Sequence, residues 1–395
     1  MAEKNSIVLN MIVKNESKII ERCLKSVYHL IDSWCIVDTG STDGTQEIIK
    51  NFLKDKPGKL IERPWVNFGH NRNEALEFAS SMGDWILLTD ADMVLIDNGF
   101  SKDELDINID GYDVIQDNHG VRYDNFRILN AKRNWKCIGV THEYYSPADG
   151  LKTRARLLSI LFNDVSDGGS KGDKFERDIR LLEQGLIDEP NNPRYMFYLA
   201  QSYRDTENWE KAIHWYQQCH EKSNWDEESW FALYMVGWCM CRFPGKYKLD
   251  EIQEVLLRAW MLRPWRCEPI FQLGVIYKDS KKWEQAYQIF KSCATMDYPY
   301  KDLLFITSSL YEGASIDEFA VSCFWTRHFE ESIKANEKLL ESEYGKAHKT
   351  RIAKNIWFAE KELGNFSTEN LFKFIEQKKA EVKETLHNKQ LSLNI

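Results

Sequence analysis

Asp90-Ala91-Asp92 sets two carboxylates two residues apart, directly after the apolar run Trp85-Ile86-Leu87-Leu88. Side chains alternate along an extended chain, so both carboxylates are expected on one side and Ala91 on the other. Two such groups at a strand end repel each other unless a cation joins them, and oxygen ligands of this kind suit Mg²⁺ or Mn²⁺. Alone, Asp-x-Asp is equally compatible with a polar turn, so its surroundings must decide. Asp38 ends another short apolar run, Trp34 to Val37, and a carboxylate there can accept hydrogen bonds from a base N–H or a ribose hydroxyl. Arg72 offers a planar fork to phosphate. His142 and Glu143 adjoin at a later strand end and can both face one site only if the chain turns there.

The elements that must carry these groups alternate at short range. Ser6 to Val13 reads as a strand and hands over to Lys14-Asn15-Glu16; Ile19, Ile20, Cys23, Leu24 and Val27 then fit one face of a helix. After the strand ending in Asp38, Asp43 and Gln46 form an expected capping box for a helix with Ile48, Ile49 and Phe52. Lys59 to Ile61 is a weaker strand, and Phe68 to Asn73 opens a further helix with Ala75, Leu76 and Ala79 inward. Such alternation implies a parallel sheet with helices on both faces. Asn15, Glu16, Asp38 and Asp90 should then share one edge, where nucleotides bind. Asp43 reads as a cap, whereas Asp38 repeats the position of Asp90 and is taken as functional. No Gly-x-Gly-x-x-Gly and no phosphate loop ending in Gly-Lys-Ser/Thr occurs, which argues against dinucleotide dehydrogenases and ATPases of that type.

The chain has 395 residues, 43% hydrophobic and 29% charged, with net charge −9. That is room for two or three soluble domains, and the acidic balance argues against a nucleic-acid surface. The nine cysteines have no paired spacing, so reduced thiols and a cytoplasmic setting are expected. Met1-Ala2-Glu3-Lys4 runs into the first strand without a signal peptide, and no apolar run approaches the ~20 residues of a membrane span.

Met11 to Glu16, Val37 to Thr45, Phe68 to Asn73 and Gly83 to Asp92, in this order and spacing, resemble the successive motifs of family 2 glycosyltransferases. The resemblance covers roughly the first 95 residues. It implies a GT-A fold, a nucleotide-sugar donor with UDP the family's commonest carrier, a divalent cation, and inversion at the anomeric carbon. By position it implies that Asp38 contacts the base, Asp90 the ribose and Asp92 the metal. Strands are expected over Tyr112 to Ile115, Arg122 to Leu129, Trp135 to Val140 and Arg154 to Phe162. Gly139-Val140-Thr141-His142-Glu143 resembles a downstream motif of the family 2 subgroup that carries tetratricopeptide repeats. An inverting transfer needs a base for the acceptor hydroxyl, and Glu143 is assigned that role. His142 is assigned a metal or diphosphate contact, against a structural, hydrogen-bonded histidine. Arg127 is either a phosphate or acceptor contact or a surface arginine. Asp167 to Gly172 either closes over phosphates with Lys171 and Lys174 or is an interdomain linker.

From Asp173 strand signals mostly vanish. Leu199-Ala200, Tyr203, Trp209, Ala212, Tyr216 and Cys219 are matched at constant offset by Leu273-Gly274, Tyr277, Trp283, Ala286, Phe290 and Cys293. This resembles tetratricopeptide helix pairs, with a further pair at Leu233, Gly237, Leu256 and Ala259 and a weaker one at Phe319, Ala320, Phe329 and Ser332. The repeated aromatic residues are read as core, since such helices stack to bury their faces. The expected organisation is a GT-A domain over 1–170, helical repeats over 171–365, and a terminal helix and tail over 366–395. The expected activity is a metal-dependent inverting sugar transfer to a glycan, lipid or protein hydroxyl. The repeats would serve a protein partner or self-association. An inactive scaffold is the alternative from another class, opposed by the presence of Asp38, Asp90, Asp92 and Glu143. A sugar nucleotidyltransferase would need a glycine-rich basic loop near the first strand, which Lys14-Asn15-Glu16 is not.

Overall fold

A computed structural model describes residues 5–169 and 174–364. The chain forms two compact units, one ending at Glu207 and the next beginning at Asn208. The change from strands to helices falls near residue 170, as composition suggests, but two helices pack with the sheet unit before the division.

The first unit is built on β1 (Ile7–Val13), β2 (Ser33–Asp38), β3 (Gly58–Glu62) and β4 (Trp85–Leu88). These four are parallel, in the order β3-β2-β1-β4. Their alternation decides the layers. Ile7, Leu9, Met11 and Val13 pack with Ile20, Cys23, Leu24 and Ile49, carried by α1 (Ile20–Val27) and α2 (Thr45–Phe52). Val8, Cys35, Ile86 and Leu88 pack with Leu76 and Ala79 of α3 (Phe68–Ala79) on the other face. Burial on both faces is why β2 and β4 are apolar without a break. The expected capping box at α2 does not form. Gly44 takes the cap position in a left-handed conformation, and Gln46 Nε2 instead donates to Asp38 Oδ1 at 3.0 Å.

Beyond β4 the sheet becomes mixed. It continues through β6 (Gly111–Asn118), β7 (Val121–Asn130), β10 (Arg154–Asp164) and β5 (Met93–Asp97), in the order β4-β7-β6-β10-β5. β8 (Trp135–Ile138) and β9 (Tyr144–Pro147) make a separate antiparallel ribbon. α4 (Lys174–Asp188) and α5 (Pro193–Asp205) complete this unit.

The second unit begins with α6 (Trp209–Lys222), followed by α7 (Asp226–Arg242) and α8 (Leu249–Leu262), α9 (Glu268–Asp279) and α10 (Trp283–Cys293), and α11 (Ser315–Trp325) and α12 (Phe329–Leu340). The sequence offset relates α5 and α6 to α9 and α10, and the further expected pairs are α7 with α8 and α11 with α12; Gly237 of α7 lies against Leu256 of α8 and Gly274 of α9 against Phe290 of α10. A Cβ on Gly274 would stand 2.7 Å from the Phe290 ring, so the helices approach as closely as a hydrogen allows. The expected terminal helix and tail, 366–395, lie outside the described residues.

Ala286 is fully buried on α10. Ala286→Trp should destabilise this unit by about 1–3 kcal/mol or more through overpacking, and Ala212→Trp, also fully buried, should do the same. Thermal unfolding of both variants checks the register, and an unchanged transition in both would place these alanines outside the helix contacts.

Candidate active site

The parallel register brings the strand ends level. Val13 is paired with Asp38 and Asn10 with Leu88, so Lys14 to Glu16, Thr39 and Asp90 emerge along one edge. The loops there are stitched together. Asn15 N donates to Ser41 Oγ at 2.8 Å, Thr42 N to Asn15 Oδ1 at 2.8 Å, and Glu16 N to Thr45 Oγ1 at 2.8 Å. Asn15 therefore shapes the rim as well as lining it.

A cleft of about 660 Å³ opens at this edge. Its walls include Asn15, Glu16, Thr39, Arg72, Asp90 and Asp92, together with Lys174, Arg177 and Arg180 of α4. The last two were not singled out in the sequence. Their signal is basic spacing of three residues, Lys174, Arg177, Arg180, which sets one charged stripe along a helix. Lys171 lies outside the described residues. The adjoining loop is tied down on its near side: Gly169 N donates to both Glu16 oxygens at 3.2 Å, and Arg22 grips Asp167 through two bonds of 2.8 and 2.7 Å.

Asp38 is fully buried. Its Oδ1 accepts from Gly40 N at 2.9 Å, Ser41 N at 2.8 Å and Gln46 Nε2. Its Oδ2 is buried without a hydrogen-bond partner. An orphaned carboxylate oxygen is costly to leave unmet; Thr39 beside it lines the cleft, whereas Asp38 itself does not.

Asp90 and Asp92 do not sit on a straight strand. Met93 N donates to Asp90 O at 3.1 Å, so the chain turns at once into β5. The turn sends the two carboxylates to different partners. Asp90 Oδ1 accepts from Arg72 Nη2 at 2.8 Å and Oδ2 from Arg127 Nη1 at 3.3 Å. Burial would raise the Asp90 carboxyl, but the two guanidiniums outweigh it and hold it well below the usual carboxylate range. Asp92 stands in the larger cleft beside Gly168, where a Cβ would come 3.0 Å from its Oδ2.

Arg127 is a buried residue, and a register shift explains its aim. On β6, Tyr112 faces Ile128 while Asp113 faces Phe126, so Arg127 is the extra residue of a β-bulge. Bulges re-aim side chains beside active sites. Here the side chain reaches Asp90 and, through Nη2 at 2.9 Å, Gln116 Oε1.

The fork of Arg72 is likewise taken up by carboxylates. Its Nε donates to Glu143 Oε1 at 2.7 Å while Nη2 holds Asp90. Glu143 lines a second cleft, of about 450 Å³, with Asp124, Asn125, Phe126, Tyr144 and Tyr145. Arg72 and Asp90 border both clefts. The turn before Glu143 is braced by α3: Phe68 N donates to Val140 O at 3.1 Å, and a Cβ on Gly69 would strike Gly139 O at 2.2 Å. His142 borders neither of these clefts. Its ring lies 4.1 Å from that of Tyr198, nearly parallel, and its Nε2 is 3.7 Å from Asp178 Oδ2. Burial pushes its pKa down despite that carboxylate.

Among the described residues no three His, Cys, Asp or Glu side chains gather into a ready-made cation site. Glu16, Asp90, Asp92 and Asp164 nevertheless line the larger cleft, beside Lys14, Arg72 and the basic residues of α4. Glu16 is raised above its ordinary pKa, first by burial and then, against the Gly169 hydrogen bond, by Asp92, Asp43 and Asp167. One or two carboxylates with substrate phosphates and water are the usual shell of Mg²⁺, so Asp92 with Glu16 fits a cation that arrives with a diphosphate.

A mixed sheet whose parallel half is covered by helices on both faces, with acids and guanidiniums at the carboxyl edge of that half, has the GT-A fold. Residues 9–166 match the family model "Glycosyl transferase family 2", and this part of the chain is a family 2 glycosyltransferase domain. The SPbeta prophage-derived glycosyltransferase SunS of Bacillus subtilis is 29% identical over 230 residues, 53% of this chain and 51% of that protein. A TPR repeat-containing protein of Synechococcus elongatus is 40% identical over 91 residues, 23% of this chain and 21% of that protein. The chain thus spans about half the length, or less, of these curated relatives. Among solved structures, MamA aligns over 45% of this chain and 94% of that chain, with TM-score 0.35 and 21% identity. Among the described residues no helix is long and apolar enough to cross a membrane.

Proposed function

We propose that the protein is a metal-dependent inverting glycosyltransferase, moving a sugar from a nucleotide-sugar, with UDP as the carrier, to a hydroxyl acceptor. The observation that carries this reading is Arg72. It joins Asp90, on the donor side, to Glu143, on the acceptor side, in the wall between two clefts.

In this reading the nucleotide occupies the larger cleft. Asp38 Oδ2, buried and unmet, accepts the N–H of the base. Asp90, held ionised by Arg72 and Arg127, accepts from ribose. Lys174, Arg177 and Arg180 face the diphosphate. Asp92, with Glu16 beside it, would hold Mn²⁺ or Mg²⁺, which when bound neutralises charge on the leaving diphosphate. The acceptor enters the smaller cleft. Glu143 takes the proton of its hydroxyl as that oxygen attacks the anomeric carbon. The bond from that carbon to the diphosphate breaks on the opposite side, and the nucleoside diphosphate leaves with the electron pair.

A panel of nucleotide-sugars, assayed for hydrolysis with Mn²⁺ and with EDTA, tests the proposal. Metal-dependent turnover of one donor is expected. Neither turnover nor nucleotide binding across the panel would favour the scaffold alternative. Asp38→Asn adds a sharper check. With the amide oxygen kept toward Gly40, Ser41 and Gln46, an N–H₂ replaces Oδ2 and opposes the base N–H. Calorimetry should show UDP affinity lower by about tenfold or more, while unchanged affinity would move the base elsewhere.

A further inference from the structure

Glu143 stands on a turn that would not hold its shape alone. Gly139 and His142 both have positive φ, 115° and 50°. A non-glycine residue keeps a left-handed conformation only where its surroundings over-determine it. At His142 those surroundings come from α5. Arg194 Nη2 donates to the His142 carbonyl at 2.8 Å, and its guanidinium lies over the rings of Tyr144 and Tyr198 at 4.9 and 5.0 Å. The Tyr198 ring is stacked on the His142 imidazole with only 2° between the planes. From α4, the buried Asp178 accepts from Thr141 Oγ1 at 3.2 Å. The residues on both sides of Glu143 are therefore gripped by the same arginine.

We propose that Arg194 and Tyr198 are positioning residues: they lock the 139–144 turn so that the Glu143 carboxylate meets Arg72 and faces the acceptor cleft. This rests on the reading of Glu143 as the base. It assigns His142 to the support of the turn, as the flat partner that Tyr198 presses on, in place of a contact to cation or diphosphate. It also gives α5 a task in the chemistry, although the sequence pattern places this helix with the repeats. Rotating the turn by one residue's φ would move the carboxylate by more than the fraction of an ångström that reaction geometry tolerates.

Tyr198→Ala and Tyr198→Phe in the full chain test this, with two readouts. The first is amide hydrogen exchange over 139–145, which needs no substrate. The second is kcat and KM for the donor that the nucleotide-sugar panel selects. Tyr198→Ala should raise exchange in the turn about tenfold and lower kcat by about 10–10²-fold, with donor KM and the protection of β1 and β4 unchanged. Tyr198→Phe keeps the stacked ring and should match the wild type in both. Unchanged exchange in Tyr198→Ala overturns the proposal. So does loss of protection throughout the sheet with donor KM rising in step, since that describes a general packing role. So does raised exchange with full kcat where Glu143→Gln is impaired. Should Glu143→Gln itself keep full rate, the base reading fails separately, and exchange over 139–145 still decides whether Tyr198 holds the turn.

Discussion

Glu143→Gln is expected to lower the transfer rate by roughly 10²–10⁴-fold, the usual contribution of general-base catalysis. Glutamine keeps the size and shape but cannot take the acceptor's proton at neutral pH. It can still accept from Arg72 Nε, so Arg72 should stay on Asp90, to which its Nη2 is bonded independently. Donor affinity should therefore change little. A carboxylate that bound the donor or its cation would instead lose affinity and rate together. Calorimetry with UDP and Mn²⁺, beside initial rates, separates the two. Wild-type transfer would remove Glu143 from the reaction. Asp124 would then come first among the remaining carboxylates, since it lines the same cleft, ahead of Asp117, bonded to Arg122, and Asp164, bonded to Gln116 and Asn118.

Asp92→Ala should abolish turnover and the metal-dependent part of nucleotide binding. Asp92 is half-buried at the cleft surface, so the fold should survive and thermal unfolding should stay close to wild type. Asp90 should not make up the loss, because its charge is already balanced by Arg72 and Arg127. Equal activity in EDTA, or full activity of the variant, would take the cation out of the mechanism and leave the α4 stripe to balance the diphosphate.

The parallel half of the sheet was legible because its signals are local. Strands buried on both faces read as unbroken apolar runs, and each one toward the site ends in a polar cluster. Asp38 and Asp90 could be placed on one edge from alternation alone. What escaped depends on contacts made far along the chain. The turn after Asp90 exists because β5 pairs with β10, some sixty residues on by sequence. The fork of Arg72 looked open to phosphate because its two carboxylate partners lie 18 and 71 residues away. His142 has the right residue type for a ligand, and only its stack on Tyr198 shows where the ring goes. Arg177 and Arg180 follow a glycine-rich loop that gave no sign of which way the helix after it would face.

The extra residue in β7 has a consequence for anyone who would improve this protein. Removing one residue near Arg127 would turn β7 and β6 into an unbroken ladder, the regular geometry that idealised sheets use. The same deletion would swing the arginine's position to the other face of the sheet and leave Asp90 with Arg72 alone. Engineering for thermal tolerance would thus be drawn toward a tidier strand that melts later and transfers less, an instance of the trade between stability and activity. The irregular strand is best left out of any such redesign.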